Sequence, residues 1–93
     1  MSIEVRVPTI LRTYTGGEKT VTGEGASLSA LIDDLEANHP GIKERLVEGD
    51  DTPALRRFVN VYVGNDDVRF LDELQTATPD GVQISVIPAV AGG

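Results

Sequence analysis

Apolar and polar residues alternate at the start of the chain: Glu4 and Arg6 separate Ile3, Val5 and Val7. A period of two predicts a half-buried strand, ended by Pro8. Residues 9–17 read as a loop in which Gly16-Gly17 marks a turn. Residues 18–22 predict a second strand, folded back on the first as a hairpin and ended by Gly23 and Gly25. The period then lengthens. Leu28, Leu31, Ile32 and Leu35 follow Ser27 at the spacing of one helical face. Ser27 is placed to cap the free amides of the first turn. Asp33, Asp34 and Glu36 fall on the solvent side, and Pro40-Gly41 stops the helix. A short helical turn is expected over 42–46 and a polar loop over 48–53.

Alternation returns in the second half. Phe58-Val59-Asn60-Val61-Tyr62-Val63 is the strongest strand signal. Gly64-Asn65-Asp66-Asp67 predicts a turn into a short strand at Val68-Arg69-Phe70. Pro79-Asp80-Gly81 predicts another turn, and residues 82–87 a last strand ended by Pro88. One amphipathic helix covers only one face of a sheet, so the order ββαβ(β)β predicts a two-layer α+β domain. With the first and last strands paired in parallel at the centre, the arrangement is a β-grasp, a mixed sheet of four to five strands. The domain is expected over residues 1–88, with 89–93 as a flexible tail.

The same alternation assigns faces. Val59, Val61, Val63, Val82, Ile84 and Val86 point to the helix, while Gln83, Ser85 and Ile87 share the open face with Phe58, Asn60 and Tyr62. An uncovered face holding two aromatics among polar residues reads as a protein-docking surface, assigned to Phe58, Asn60, Tyr62 and Ile87.

Composition narrows the chemistry. The chain has 93 residues and no cysteine, which excludes disulfides, thiolate metal sites and a cysteine nucleophile. Its net charge of −7 disfavours a nucleic-acid partner and suits docking to basic protein surfaces. No apolar run approaches the roughly 20 residues of a membrane span. The N-terminus lacks a basic and then apolar leader, so a cytoplasmic protein with no membrane partner is expected. His39, the single histidine, stands at the predicted helix end, where a structural role is expected. Asp50-Asp51 and Asp66-Asp67 lack the alternating ligands of a calcium loop and read as turn residues. No phosphate loop or dinucleotide motif is present. No cofactor, no metal and no catalytic side chain are expected.

What remains is the end of the chain, Ile87-Pro88-Ala89-Val90-Ala91-Gly92-Gly93. No charged side chain occurs from Val82 to Gly92, so this segment can enter a narrow channel at little ionic desolvation cost. Glycine lacks a Cβ and lets backbone approach a partner's active site closely. Each residue fixed there costs about 1–2 kcal/mol of conformational freedom, so a docking face must supply the affinity.

The ββαββ order, Asp80-Gly81 before the last strand, and the proline shortly before Gly92-Gly93 resemble the ubiquitin-like sulfur-carrier family. That family includes the small subunit of molybdopterin synthase and the carrier of thiazole synthesis. Val7-Pro8-Thr9-Ile10-Leu11-Arg12, Thr15-Gly16-Gly17, the strand at 58–63 and Asp67-Val68-Arg69-Phe70 are similar to the branch that supplies cysteine synthesis. One departure is Val82-Gln83 after Asp80-Gly81, where many members carry another acid. The resemblance implies a β-grasp carrier protein, not an enzyme. An E1-like adenylating and sulfurylating enzyme, using ATP, converts the Gly93 carboxylate to an acyl-adenylate and then to a thiocarboxylate. Gly92, Ala91 and Val90 give that group its reach. A cysteine synthase carrying pyridoxal phosphate accepts the sulfur, and a zinc metallopeptidase releases cysteine. ATP and pyridoxal phosphate belong to those partners. Molybdopterin or thiazole synthesis, or attachment to other proteins through Gly93, are the alternatives the same resemblance carries.

Overall fold

The computed structural model describes residues 2–49, 54–56 and 59–88. They form β1 (Ile3–Arg6), β2 (Thr20–Gly23), α1 (Leu28–Asn38), α2 (Ile42–Leu46), β3 (Val47–Glu48), β4 (Ala54–Leu55), β5 (Val59–Val63), β6 (Asp66–Asp67) and β7 (Gln83–Pro88). The main sheet runs β2-β1-β7-β5-β6. β1 and β7 are parallel neighbours, with Val5 opposite Ile84, and β2 pairs antiparallel on the outer side of β1. β5 flanks β7 antiparallel, with Val61 opposite Val86. This is the β-grasp arrangement that the strand pattern predicts.

The core follows from the two periodicities. Ile3, Val5, Val61, Ile84 and Val86 turn inward from the sheet and are buried. The four apolar residues predicted on the helix, Leu28, Leu31, Ile32 and Leu35, all lie buried against them. Burying one such side chain stabilises the fold by about 1.5–3 kcal/mol. Ser27 caps α1 as expected, its hydroxyl oxygen accepting from Ala30 N at 3.3 Å.

Four local expectations are corrected. Residues 9–17 contain a 3-10 helix, Thr9–Thr15, rather than an open loop. Leu11 is buried and fixes one face of this helix, and Gly16, at φ 66, closes it. The strand expected at 68–70 is a two-residue β6 followed by a second 3-10 turn, Val68–Phe70. There the Asp67 carboxylate accepts from Arg69 N at 2.9 Å, a local bond that competes with an extended ladder. Val68 drops into the core while Phe70 is 88% exposed. Gly23 lies inside β2, opposite Ile3. Glu48 is not in a loop but pairs with Ala54, anchored by the neighbouring pair of Val47 and the buried Leu55. Residues 50–53 of that expected loop lie outside the described residues.

Two acids expected in solvent have structural partners. Asp34 accepts from Glu24 N at 2.9 Å and ties α1 to the chain leaving β2. Glu36 supplies the cap that α2 lacks. The N-cap of α2 is Gly41, at φ 100, with no side chain to offer. The Glu36 carboxylate reaches across and accepts from Lys43 N at 2.9 Å and from Gly41 N at 3.1 Å. These two backbone donors, with the Lys43 charge as a smaller contribution, hold the Glu36 carboxyl below its ordinary value of 4.5. A depressed carboxyl contributes stability above its unfolded value and loses it as pH falls through the folded one. Glu36→Gln is therefore expected to flatten the thermal stability profile below pH 4.5 and leave its shape near neutrality unchanged. Melting curves of both proteins across the acid range check this; parallel profiles down to unfolding would refute the cap.

Candidate functional site

Gly93, Gly92, Ala91, Val90 and Phe58 lie outside the described residues. The described part of the site is the surface from which β7 leads towards them. Register brings the other expected docking residues together: Asn60 stands opposite Ile87, and Tyr62 opposite Ser85. By strand alternation these four share the face opposite Val61 and Val86, which is not covered by α1.

Ile87 is the exposed apolar centre of this face, at 48%, while Asn60 and Tyr62 are half-buried. Arg69 comes from the 3-10 turn beyond β6 and crosses the rim of the sheet. Its guanidinium donates to Asn60 Oδ1 and, at 2.8 Å, to Arg56 O. The Asn60 oxygen is thus engaged within the chain, and the outer rim is closed by a side chain. On the far side of β7, Gln83 donates to Glu4 across the β1 pairing, at 2.9 Å. The usable surface therefore centres on Ile87 and Tyr62 and continues along β7 towards β1.

A groove that the sequence reading did not identify opens in that direction. It lies where β1 ends and the Thr9–Thr15 helix begins, and its walls include Arg6, Pro8, Ile10, Arg12, Lys19 and Ile87. Ile10, 62% exposed, and Ile87 make its apolar part. The available signal was three cations within residues 6–19 of an acidic chain. Periodicity hid it, because Arg6 reads as the polar phase of a strand and Arg12 as part of a loop.

The remaining candidates among the described residues serve the fold, while Asp50 and Asp51 lie outside them. His39 is the C-cap of α1, where its backbone amide donates to Leu35 O at 2.6 Å. Asp66 and Asp67 form β6, and Asp67 caps the turn after it. Pro79-Asp80-Gly81 makes the expected turn, closed by Val82 N donating to Pro79 O at 3.1 Å, with Gly81 at φ 84. Among the described residues no three His, Cys, Asp or Glu side chains gather where they could hold a metal ion. Among them, too, no helix is long and apolar enough to cross a membrane.

Comparison with known proteins agrees with this geometry. The model of the ThiS family matches residues 5–93. The chain is 52% identical over 93 residues to the sulfur carrier protein CysO of Mycobacterium tuberculosis, covering 100% of both chains. It is 32% identical over 96 residues to small archaeal modifier protein 3 of Haloferax volcanii, again over 100% of each. The crystal structure of the Amycolatopsis orientalis BexX/CysO complex contains a chain that superimposes with a TM-score of 0.91 at 50% identity, covering 98% of this chain and 99% of that one.

Proposed function

Because the chain belongs to the ThiS family, we propose that it is a sulfur carrier whose working group is the α-carboxylate of Gly93. The observation that carries this reading is the extent of the family match, which runs to residue 93 and so includes Gly92-Gly93. The protein is a carrier and a co-substrate, and the chemistry belongs to its partners.

The cycle follows from the chemistry of a carboxylate. It is a poor electrophile, so an E1-like enzyme first joins it to AMP, releasing pyrophosphate from ATP. A sulfur donor then displaces AMP and leaves a thiocarboxylate. That sulfur is a strong nucleophile carried on backbone, and the chain needs no thiol of its own for the purpose. In the cysteine branch, favoured by the likeness to CysO, a pyridoxal-phosphate-dependent synthase makes an aminoacrylate from phosphoserine with loss of phosphate. The thiocarboxylate sulfur adds to it, and an S-to-N acyl shift converts the thioester to an amide. A zinc metallopeptidase then hydrolyses the resulting carrier–cysteine amide and regenerates the Gly93 carboxylate. The face around Ile87 and Tyr62 holds the body against each partner while residues 89–93 reach the reacting centre.

The test is the intact mass of the protein purified from its own cells. The expected species has one carboxylate oxygen replaced by sulfur, or a cysteine joined to Gly93. A second reading, attachment to other proteins, is favoured by the 32% identity to a small archaeal modifier protein. It predicts isopeptide-linked conjugates through Gly93 instead. Finding only the unmodified chain, with the adenylating enzyme and the synthase both present, would remove the carrier reading.

A further inference from the structure

The chain carries 15 Asp and Glu against eight Lys and Arg, yet three of those cations share a groove whose lining includes no acid. Arg6 and Lys19 are exposed, and their side chains have no hydrogen-bond or ion-pair partner among the described residues. Arg12 donates through Nε to Val7 O at 3.2 Å, which anchors the guanidinium at the rim without neutralising it. Cations elsewhere among the described residues are engaged: Lys43 is ion-paired with Asp33, and Arg45 lies 5.8 Å over the Tyr14 ring and donates to its hydroxyl. The groove is thus a basic window on an acidic body. Its apolar part ends at Ile87, one residue before the described chain ends at Pro88.

We propose that this groove docks an acidic lip of the enzyme that activates the tail, with carboxylates facing Arg6, Arg12 and Lys19 and an apolar side chain between Ile10 and Ile87. The inference rests on the carrier reading for the identity of the partner. Charge complementarity selects an acidic surface. An acidic partner is repelled by the rest of the molecule and attracted here, so it meets the body beside the root of the tail. Charges at the rim of an interface act mainly on encounter and on choice of partner. They leave the chemical step untouched.

The test compares the wild type with Arg6→Glu/Lys19→Glu and the milder Arg6→Gln/Lys19→Gln, using the adenylating enzyme of the same organism. Thiocarboxylate formation by intact mass gives kcat and KM, and calorimetry gives Kd without requiring turnover. The charge reversal is expected to raise KM and Kd about tenfold in dilute salt, with kcat unchanged, and the gap to shrink below about twofold near 0.5 M salt. The neutral pair should show about a threefold effect, and it decides the matter if the reversal fails to fold. Unchanged Kd at low salt overturns the proposal. Faster tail activation in the variants would mean that residues 89–93 of the same chain occupy the groove. A dimer in sedimentation that the substitutions disperse would assign it to a second copy. Either result also overturns the proposal. A wild type that binds the enzyme but gains no sulfur counts against the carrier reading alone, because Kd still reports on the groove.

Discussion

Removal of Gly93 is expected to reduce thiocarboxylate formation to background while leaving the melting temperature within about 1 °C of wild type. The first half of this expectation is chemical. In the truncated chain the terminal carboxylate moves one residue back, about 3.5 Å short of the activating centre. A misplacement of even 1 Å can cost about a hundredfold in rate, because proximity and alignment supply much of the acceleration. The second half is structural. The described core runs from Ile3 to Val86, and β7 is already laddered to β5 as far as the pairing of Val59 with Pro88. Intact mass after incubation with the adenylating enzyme, ATP and a sulfur donor measures the first half, and calorimetric melting the second. Persistent sulfur loading would place the acceptor on another carboxylate. A lowered melting temperature would give Gly93 a structural role.

The largest expected loss of stability is at Gly25. A Cβ built there would stand 2.4 Å from Leu31 N, 2.7 Å from Ala30 C and 2.8 Å from Leu31 Cα, all backbone atoms of α1. The segment cannot retreat. Thr78 donates through its hydroxyl to Gly25 O at 2.7 Å, and Thr78 N donates to Ala26 O at 3.1 Å. Two residues further on, Leu28 N donates to Thr76 O at 2.9 Å. Gly25→Ala must therefore push α1 away from the sheet or break this stitching. Overpacking of this kind costs roughly 3 kcal/mol, or about 12–24 °C of melting temperature in a domain of this size. Gly23→Ala is the control. Its added methyl meets Leu31 Cδ1 at 2.8 Å, the tip of a side chain rather than backbone, and its loss should be clearly smaller. Equal melting temperatures for the two variants would refute the close-approach account.

The contrast between these glycines shows what sequence reading reaches. Where a residue's role is set by its neighbours in the chain, the pattern was legible. The spacing of Leu28, Leu31, Ile32 and Leu35 fixed the helix face, and the alternation of residues 3–7 and 82–87 fixed which side chains enter the core. Gly25 reads only as a strand end, because its constraint is a backbone passing over it from six residues away. The same limit applies to Glu36. Its position on α1 says solvent, yet its job is to cap a different helix. Val68-Arg69-Phe70 has the composition of a strand, and the hydrogen bond from Arg69 N to the Asp67 side chain decides for a turn. For the site, register placed Asn60 beside Ile87 and Tyr62 beside Ser85 as alternation implied. The basic groove remained hidden because Arg6, Arg12 and Lys19 come from a strand, a 3-10 helix and the approach to a second strand. Only the folded chain brings them side by side.

The parallel pairing of β1 with β7 also governs how the chain comes into being on the ribosome. Glu4 and Gln83, which meet across that pairing, are separated by 79 positions. β7, the strand joining β1 to β5, is therefore synthesised after both of its neighbours. Until it emerges, both neighbours carry an unpaired inner edge, the kind of surface on which nascent chains aggregate or are degraded. A chain stalled before Gln83 cannot close the sheet by any other local pairing in this topology. Translation itself thus sorts the products: a molecule that attains the complete fold has already been extended through the strand that leads to the tail.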